Sequence, residues 1–135
     1  MKNLKLAPIA IITLILSIQP VWSEQLKSLK LSSKNDEGYM GYSIDIDSIK
    51  KDGKFRMVWT IATRWEYTKN DEISWRTKEE FDCYGERVRT HEWFSYSDPY
   101  PKGKLINQYV GSPFRWERVR PESIQSKVLK IVCDK

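Results

Sequence analysis

Glu79–Trp93 reads "EEFDCYGERVRTHEW", two alternating runs that meet at Gly85, with one of the chain's two cysteines just before the meeting point. Alternation of this kind marks a strand with one covered face. A turn centred on Gly85-Glu86 or Tyr84-Gly85 makes the pair a hairpin. In the first run Ile73, Trp75, Thr77, Glu79, Phe81 and Cys83 share the inward side, opposite Ser74, Arg76, Lys78, Glu80 and Asp82. In the second, Val88, Thr90, Glu92, Phe94 and Tyr96 are expected inward. Both turn placements keep these sides together, so Glu80 and Asp82 should meet Arg87 and Arg89 on the outward face, each pair contributing a few tenths of a kcal/mol. Glu79 and Glu92 interrupt the apolar pattern. They mark the end of the covering layer, or a bulge that flips the register.

The flanking segments extend the sheet. In "KFRMVWTIATRWEY", Lys54–Tyr67, the residues Phe55, Met57, Trp59, Ile61, Thr63, Trp65 and Tyr67 share one side and are expected to face the core. Asp52-Gly53 before it is a hairpin signal. Earlier still, "GYMGYSIDIDSI" carries Tyr39, Tyr42, Ile44 and Ile46 with two glycines, the pattern of a bent or bulged strand. Beyond a proline-rich loop, Ser97–Gly103, come a short strand "KLINQYV" and another in "FRWERV", Phe114–Val119. From Glu122 to about Val132 the period changes: Ile124, Val128, Leu129, Ile131 and Val132 form the stripe of an amphipathic helix started near Pro121. The expected fold is α+β, a single antiparallel β-sheet of five to six strands packed against one C-terminal α-helix.

The first residues indicate export. Lys2 and Lys5 precede an apolar run, Leu6–Ile18, followed by Val21, Trp22 and Ser23, the layout of a secretory signal peptide cut after Ser23. The run is short for a transmembrane span, so no stable membrane anchor is expected after cleavage. Residues 24–135 then form a single domain, and losing the two lysines lowers the net charge from +5 to +3. Export and this modest charge argue against nucleic acid as a partner.

In an exported chain the two cysteines read as one disulfide, Cys83 to Cys133, tying a central strand to the end of the helix. Free thiols and an intermolecular bridge are the rival readings. With 49 residues between the cysteines, loop closure contributes about 4 kcal/mol. Cys133 lies opposite Ile124 around an ideal helix, so the helix is expected to end or bend by Val132.

These residues resemble the surface-adhesin E-like family of small exported proteobacterial proteins. The resemblance is carried by Asp45, Asp47, Ser48 and Ile49, by Met57–Trp59, by Glu80–Cys83, by Tyr96-Ser97, and by Trp116, Val119, Pro121 and Ser123 before Cys133. It implies an antiparallel sheet joined by a disulfide to a C-terminal helix. It also implies a surface protein that binds host matrix or serum components as a monomer or homodimer. The chain lacks the lipid-acceptor cysteine of a surface lipoprotein, which favours the periplasm over a secreted or surface-associated location.

Catalytic constellations are missing from the pattern. His91, the single histidine, falls on the outward face beside Arg89 and Trp93, a surface position instead of a general base's. Ser48 and Ser123 lack a nucleophile-elbow context. Asp45 and Asp47 suggest calcium, but Ile49 and Lys50 stand where an EF-hand needs an oxygen ligand and glycine. Neither metal nor cofactor is expected. The expected role is a noncatalytic binding or adhesin-like module of the bacterial cell envelope, with a structural or accessory periplasmic protein as the alternative and an envelope hydrolase as the weaker one. Its expected ligand-binding surface is the outward face around Arg76, Arg87, Arg89 and Trp93, and its partner a protein or a polyanionic glycan.

Overall fold

The computed structural model describes residues 26–29 and 38–134; the expected signal peptide lies outside them. Strands β1 (Leu26–Leu29), β2 (Tyr39–Asp52), β3 (Phe55–Arg64), β4 (Ser74–Asp82), β5 (Arg87–Tyr96) and β6 (Leu105–Val110) stand side by side in chain order, each antiparallel to its neighbours. The two-residue β7 (Glu117–Arg118) pairs with β5, and helix α1 (Ile124–Cys133) closes the chain. This is the expected α+β architecture with a seven-stranded sheet. The addition is β1, and the expected "FRWERV" strand shrinks to Glu117–Arg118.

The expected bend in β2 is present as two register breaks, between Tyr39 and Gly41 and between Asp45 and Lys50. At the second, the Ser48 hydroxyl donates to the Asp45 carbonyl (2.6 Å) and accepts the Trp59 N–H (2.9 Å). A side chain thus supplies the bond that the interrupted ladder lacks. Gly53, at φ 56°, makes the turn into β3. The β4–β5 turn differs from the expected two-residue form: it spans Cys83–Glu86, and Glu86, not Gly85, takes the positive φ, 48°. Asp82 Oδ1 accepts the N–H groups of Tyr84 (3.1 Å) and Gly85 (2.9 Å). A Cβ on Gly85 would stand 2.6 Å from Asp82 Oδ2, so only glycine leaves room for this carboxylate.

Helix α1 starts at Ser123, whose Oγ accepts the Ser126 N–H (3.1 Å). Its buried stripe, Ile124, Val128 and Val132, packs with Tyr42, Ile44, Val58, Ala62 and Phe81. The inward side expected for β4 is therefore correct, but that of β3 is reversed. Val58, Thr60 and Ala62 lie on the helix side, while Phe55, Met57, Trp59 and Ile61 are on the open side, and Trp65 and Tyr67 lie exposed beyond the strand. The physical reason is size: valine, threonine and alanine let the helix approach the sheet, whereas the larger Phe55, Met57, Trp59 and Ile61 would hold it off. The displaced aromatic side is covered by cations of its own sheet.

β5 changes sides midway. Glu79 pairs with Thr90 and Lys78 with Glu92, leaving His91 as the extra residue of a bulge. Val88 and Thr90 keep their expected inward side. Beyond the bulge Trp93 and Ser95 turn towards the helix side, opposite Thr77 and Trp75, while Glu92 and Phe94 oppose Lys78 and Arg76 on the open side. The bulge anticipated from Glu79 and Glu92 is thus present, and it overturns the expected outward position of Trp93.

The Cys83–Cys133 disulfide is formed, with Cα atoms 5.8 Å apart. Contrary to the helical-wheel expectation, α1 continues through Cys133 and is capped by Asp134. Cys83 lies just beyond β4, at the hairpin end of the sheet, where the last turn of the helix reaches it.

Candidate functional site

The sheet presents two different surfaces. On the open side, the Arg76 guanidinium lies 4.5 Å from the Trp59 ring centroid and Lys78 Nζ 5.8 Å from it, with Phe94 6.2 Å away. A second cluster surrounds Trp116, which stacks on Phe55 at 5.6 Å and lies beneath Arg89 (4.4 Å) and Arg87 (5.1 Å). Arg118 pairs with Arg87 in register, which places it on the same side. Each cluster keeps cations over apolar rings, so the face is at once charged and ready to be desolvated.

Much of this charge is tied down. Arg87 pairs with Asp82 (2.7 Å), Arg89 with Glu80 (2.6 Å) and Lys78 with Glu92 (3.6 Å). Asp82 is buried, and its carboxyl is held below the usual range by Arg87 first and then by the Gly85 N–H. The pair expected as an exposed contact thus joins a buried carboxylate to an exposed guanidinium. His91 Nε2 lies 3.2 Å from Glu80 Oε1, within the same network. After these pairs, Lys50, Lys54, Arg76, Lys78, Arg87, Arg89 and Arg118 still outnumber Asp45, Asp52, Glu80, Asp82 and Glu92.

Of the four residues expected at the site, the structure keeps Arg76, Arg87 and Arg89 on one face and removes Trp93 to the other. The indole among the arginines is Trp116, which sequence reasoning missed. The alternation in "FRWERVR" signals it, because Trp116 and Arg118 share a side once Arg118 is placed opposite Arg87.

On the helix side, α1 covers only part of the sheet. Beyond it lies a cleft of about 560 Å³, floored by Thr60, Ala62 and Thr77 and walled by Tyr39, Arg64 and Trp75 on one flank and Trp93 and Phe114 on the other. At its covered end the buried Glu79 accepts hydrogen bonds from Tyr42 Oη (3.1 Å) and Thr60 Oγ1 (3.0 Å). Burial pushes the Glu79 carboxyl up from its usual range, and burial, followed by the charge of Glu79, does the same to the Tyr42 phenol. Both oxygens of Glu72, at the far end, are also occupied, by Ser95 Oγ (2.8 Å) and Thr68 Oγ1 (3.2 Å).

His91 contacts a carboxylate and no hydroxyl or thiol nucleophile, and both cysteines are in the disulfide. Among the described residues no cluster of three His, Cys, Asp or Glu could hold a metal ion. Asp45 is buried and Asp47 exposed, and the element they flank serves the β2 bulge.

The family model for surface-adhesin protein E matches residues 29–134. The chain belongs to the surface-adhesin protein E family. No curated protein matches it. Among solved structures, Haemophilus influenzae protein E in crystal form II aligns with a TM-score of 0.56 at 15% identity, over 80% of this chain and 96% of that one. Its selenomethionine form aligns at 0.54 and 16%, over 80% and 95%. At such identity the likeness speaks for the fold alone. The residues that carried the family resemblance in sequence hold that fold together: Ser48 bridges the bulge, Val58 and Phe81 fill the core, Val119 is buried, Ser123 caps α1 and Cys83 and Cys133 are joined. Family membership makes the chain adhesin-like and points away from catalysis.

Proposed function

We propose that this protein is a noncatalytic, exported binding module of the bacterial cell envelope that recognises an acidic protein partner through the open sheet face. Arg76, Arg87 and Arg89 lie on that face and support the reading, with Trp116 among them where Trp93 was expected. The observation that carries the reading is the Trp116 cluster, an indole beneath two arginines with a third on the same side. Such groups steer an acidic partner by their field and gain further when the rings are desolvated. Membership of an adhesin family supports the same reading.

The test is capture from serum, matrix and envelope extracts by the wild-type protein and by Arg118→Glu, followed by direct affinity measurement on the captured partner. Arg118 is exposed and makes no ion pair among the described residues, so its reversal should leave unfolding unchanged. The reading expects weaker binding by the variant, with the difference shrinking as salt is raised. Equal affinity at low salt would remove the open face from consideration. Processing is checked on the same preparation, whose mass should correspond to a chain starting at Glu24.

A further inference from the structure

The helix-side cleft is chemically distinct from the open face. Its one cation, Arg64, stands with its guanidinium 5.8 Å from the Tyr39 ring and 6.0 Å from the Trp75 ring. Among the described residues no carboxylate pairs with it; Glu72 and Glu79, the two carboxylates of the cleft, accept from hydroxyl groups instead. Flanked by two rings, the guanidinium keeps its fork of N–H donors for a carboxylate that arrives from outside.

The rest of the cleft narrows what that carboxylate can be attached to. Trp93 lies opposite Thr77 and diagonal to Trp75 on the same face, so two indoles flank the floor about 7–8 Å apart at their backbones. That spacing admits a flat ring lying along aromatic surfaces. Between and beside the indoles, the side-chain polar groups of Thr77, Thr90 and Gln125 line the cleft without a hydrogen-bond partner among the described residues. They suit a ring that carries several hydroxyls, and a purely hydrocarbon ring would leave them unsatisfied. A volume of about 560 Å³ lies in the range of roughly 300–1,000 Å³ that encloses small organic ligands.

We propose that this cleft binds a carboxylated sugar, a hexuronate unit of an acidic oligosaccharide, with Arg64 on the carboxylate, Trp75 and Trp93 along the ring, and Thr77, Thr90 and Gln125 on its hydroxyls. The site is separate from the open face, and the proposal stands or falls independently of the acidic protein partner.

The probe is a disaccharide of glucuronate and N-acetylglucosamine, titrated against the exported protein while the indole N–H resonances of all tryptophans are followed. Its methyl ester, identical but uncharged, is the control. The acid should shift Trp75 and Trp93 and bind about tenfold or more tightly than the ester, the difference a charge-assisted pair makes. Arg64→Gln should bring the acid down to the ester's affinity and leave the ester unchanged. The acid–ester comparison uses the unmodified protein, so it decides even if that variant fails to fold. Equal binding of acid and ester, no saturation up to about 10 mM, discrimination that survives in Arg64→Gln, or shifts confined to Trp59 and Trp116 would each overturn the assignment.

Discussion

The two faces of the sheet solve the same problem in different ways. On the helix side Ile44, Val58, Phe81, Val128 and Val132 exclude water by packing against one another. On the open side Trp59, Phe55, Phe94 and Trp116 are sheltered by neighbouring rings and by arginine and lysine side chains laid across them. Beneath α1 the first arrangement contributes stability and leaves nothing for a partner; only the uncovered cleft beyond the helix is open. The second leaves a surface whose covering can be rearranged by one. Which face a tryptophan occupies thus decides more about its role than its size does.

The contrast is broken most severely at Phe81, which is fully buried. Phe81→Ala should cost about 3–5 kcal/mol in denaturant unfolding, as large core truncations do. The double replacement of Cys83 and Cys133 by serine comes next, at about 4 kcal/mol for a separation of 50 residues. Trp59→Ala belongs to the other face and should cost only about 1–2 kcal/mol, since a half-buried ring under cations forfeits part of its burial and a cation–π contact. A loss at Trp59 as large as at Phe81 would mean that the open face is a second core.

Two carboxylates sharpen the comparison through pH. Asp82, held low by Arg87, contributes stability that is present above the usual aspartate range and lost as pH falls through its lowered value. Glu79, raised by burial, does the reverse: what it contributes is full below the usual glutamate range and is lost as pH rises through its raised value. Glu79→Gln should therefore be more stable than wild type at neutral pH, with the gain vanishing towards about pH 4. Asp82→Asn should lose stability at neutral pH and converge with wild type in acid. The pair of pH profiles is read by denaturant unfolding, and profiles of the same sign would contradict the burial assigned to Glu79.

These placements show where the sequence could be read and where it could not. The hairpin around Gly85, the C-terminal amphipathic helix and the bend in β2 rest on short-range signals and were legible, although the helix, expected to start near Pro121, begins after the Ser123 cap; the disulfide was legible from two cysteines in a chain read as exported. The side of β3 was not. Both of its faces carry apolar residues, and alternation names two faces without saying which meets the helix; the preference for small Val58, Thr60 and Ala62 appears only when α1 is docked. At β5 the two glutamates signalled a bulge, but placing it at His91 needed the pairing with β4. Trp93 and Trp116 exchange places for that reason: one bulged residue moves the first to the cleft, and a two-residue pairing brings the second to the arginines.

The placement of the Val58, Thr60 and Ala62 side of β3 beneath α1, with the aromatic side left open, is tested most directly by NOEs from the methyl groups of the helix. The account predicts that the Val128 and Val132 methyl groups show NOEs to Val58 and Phe81 and none to Trp59 or Trp116. NOEs from those methyl groups to the Trp59 indole would place the aromatic side of β3 beneath the helix and contradict it.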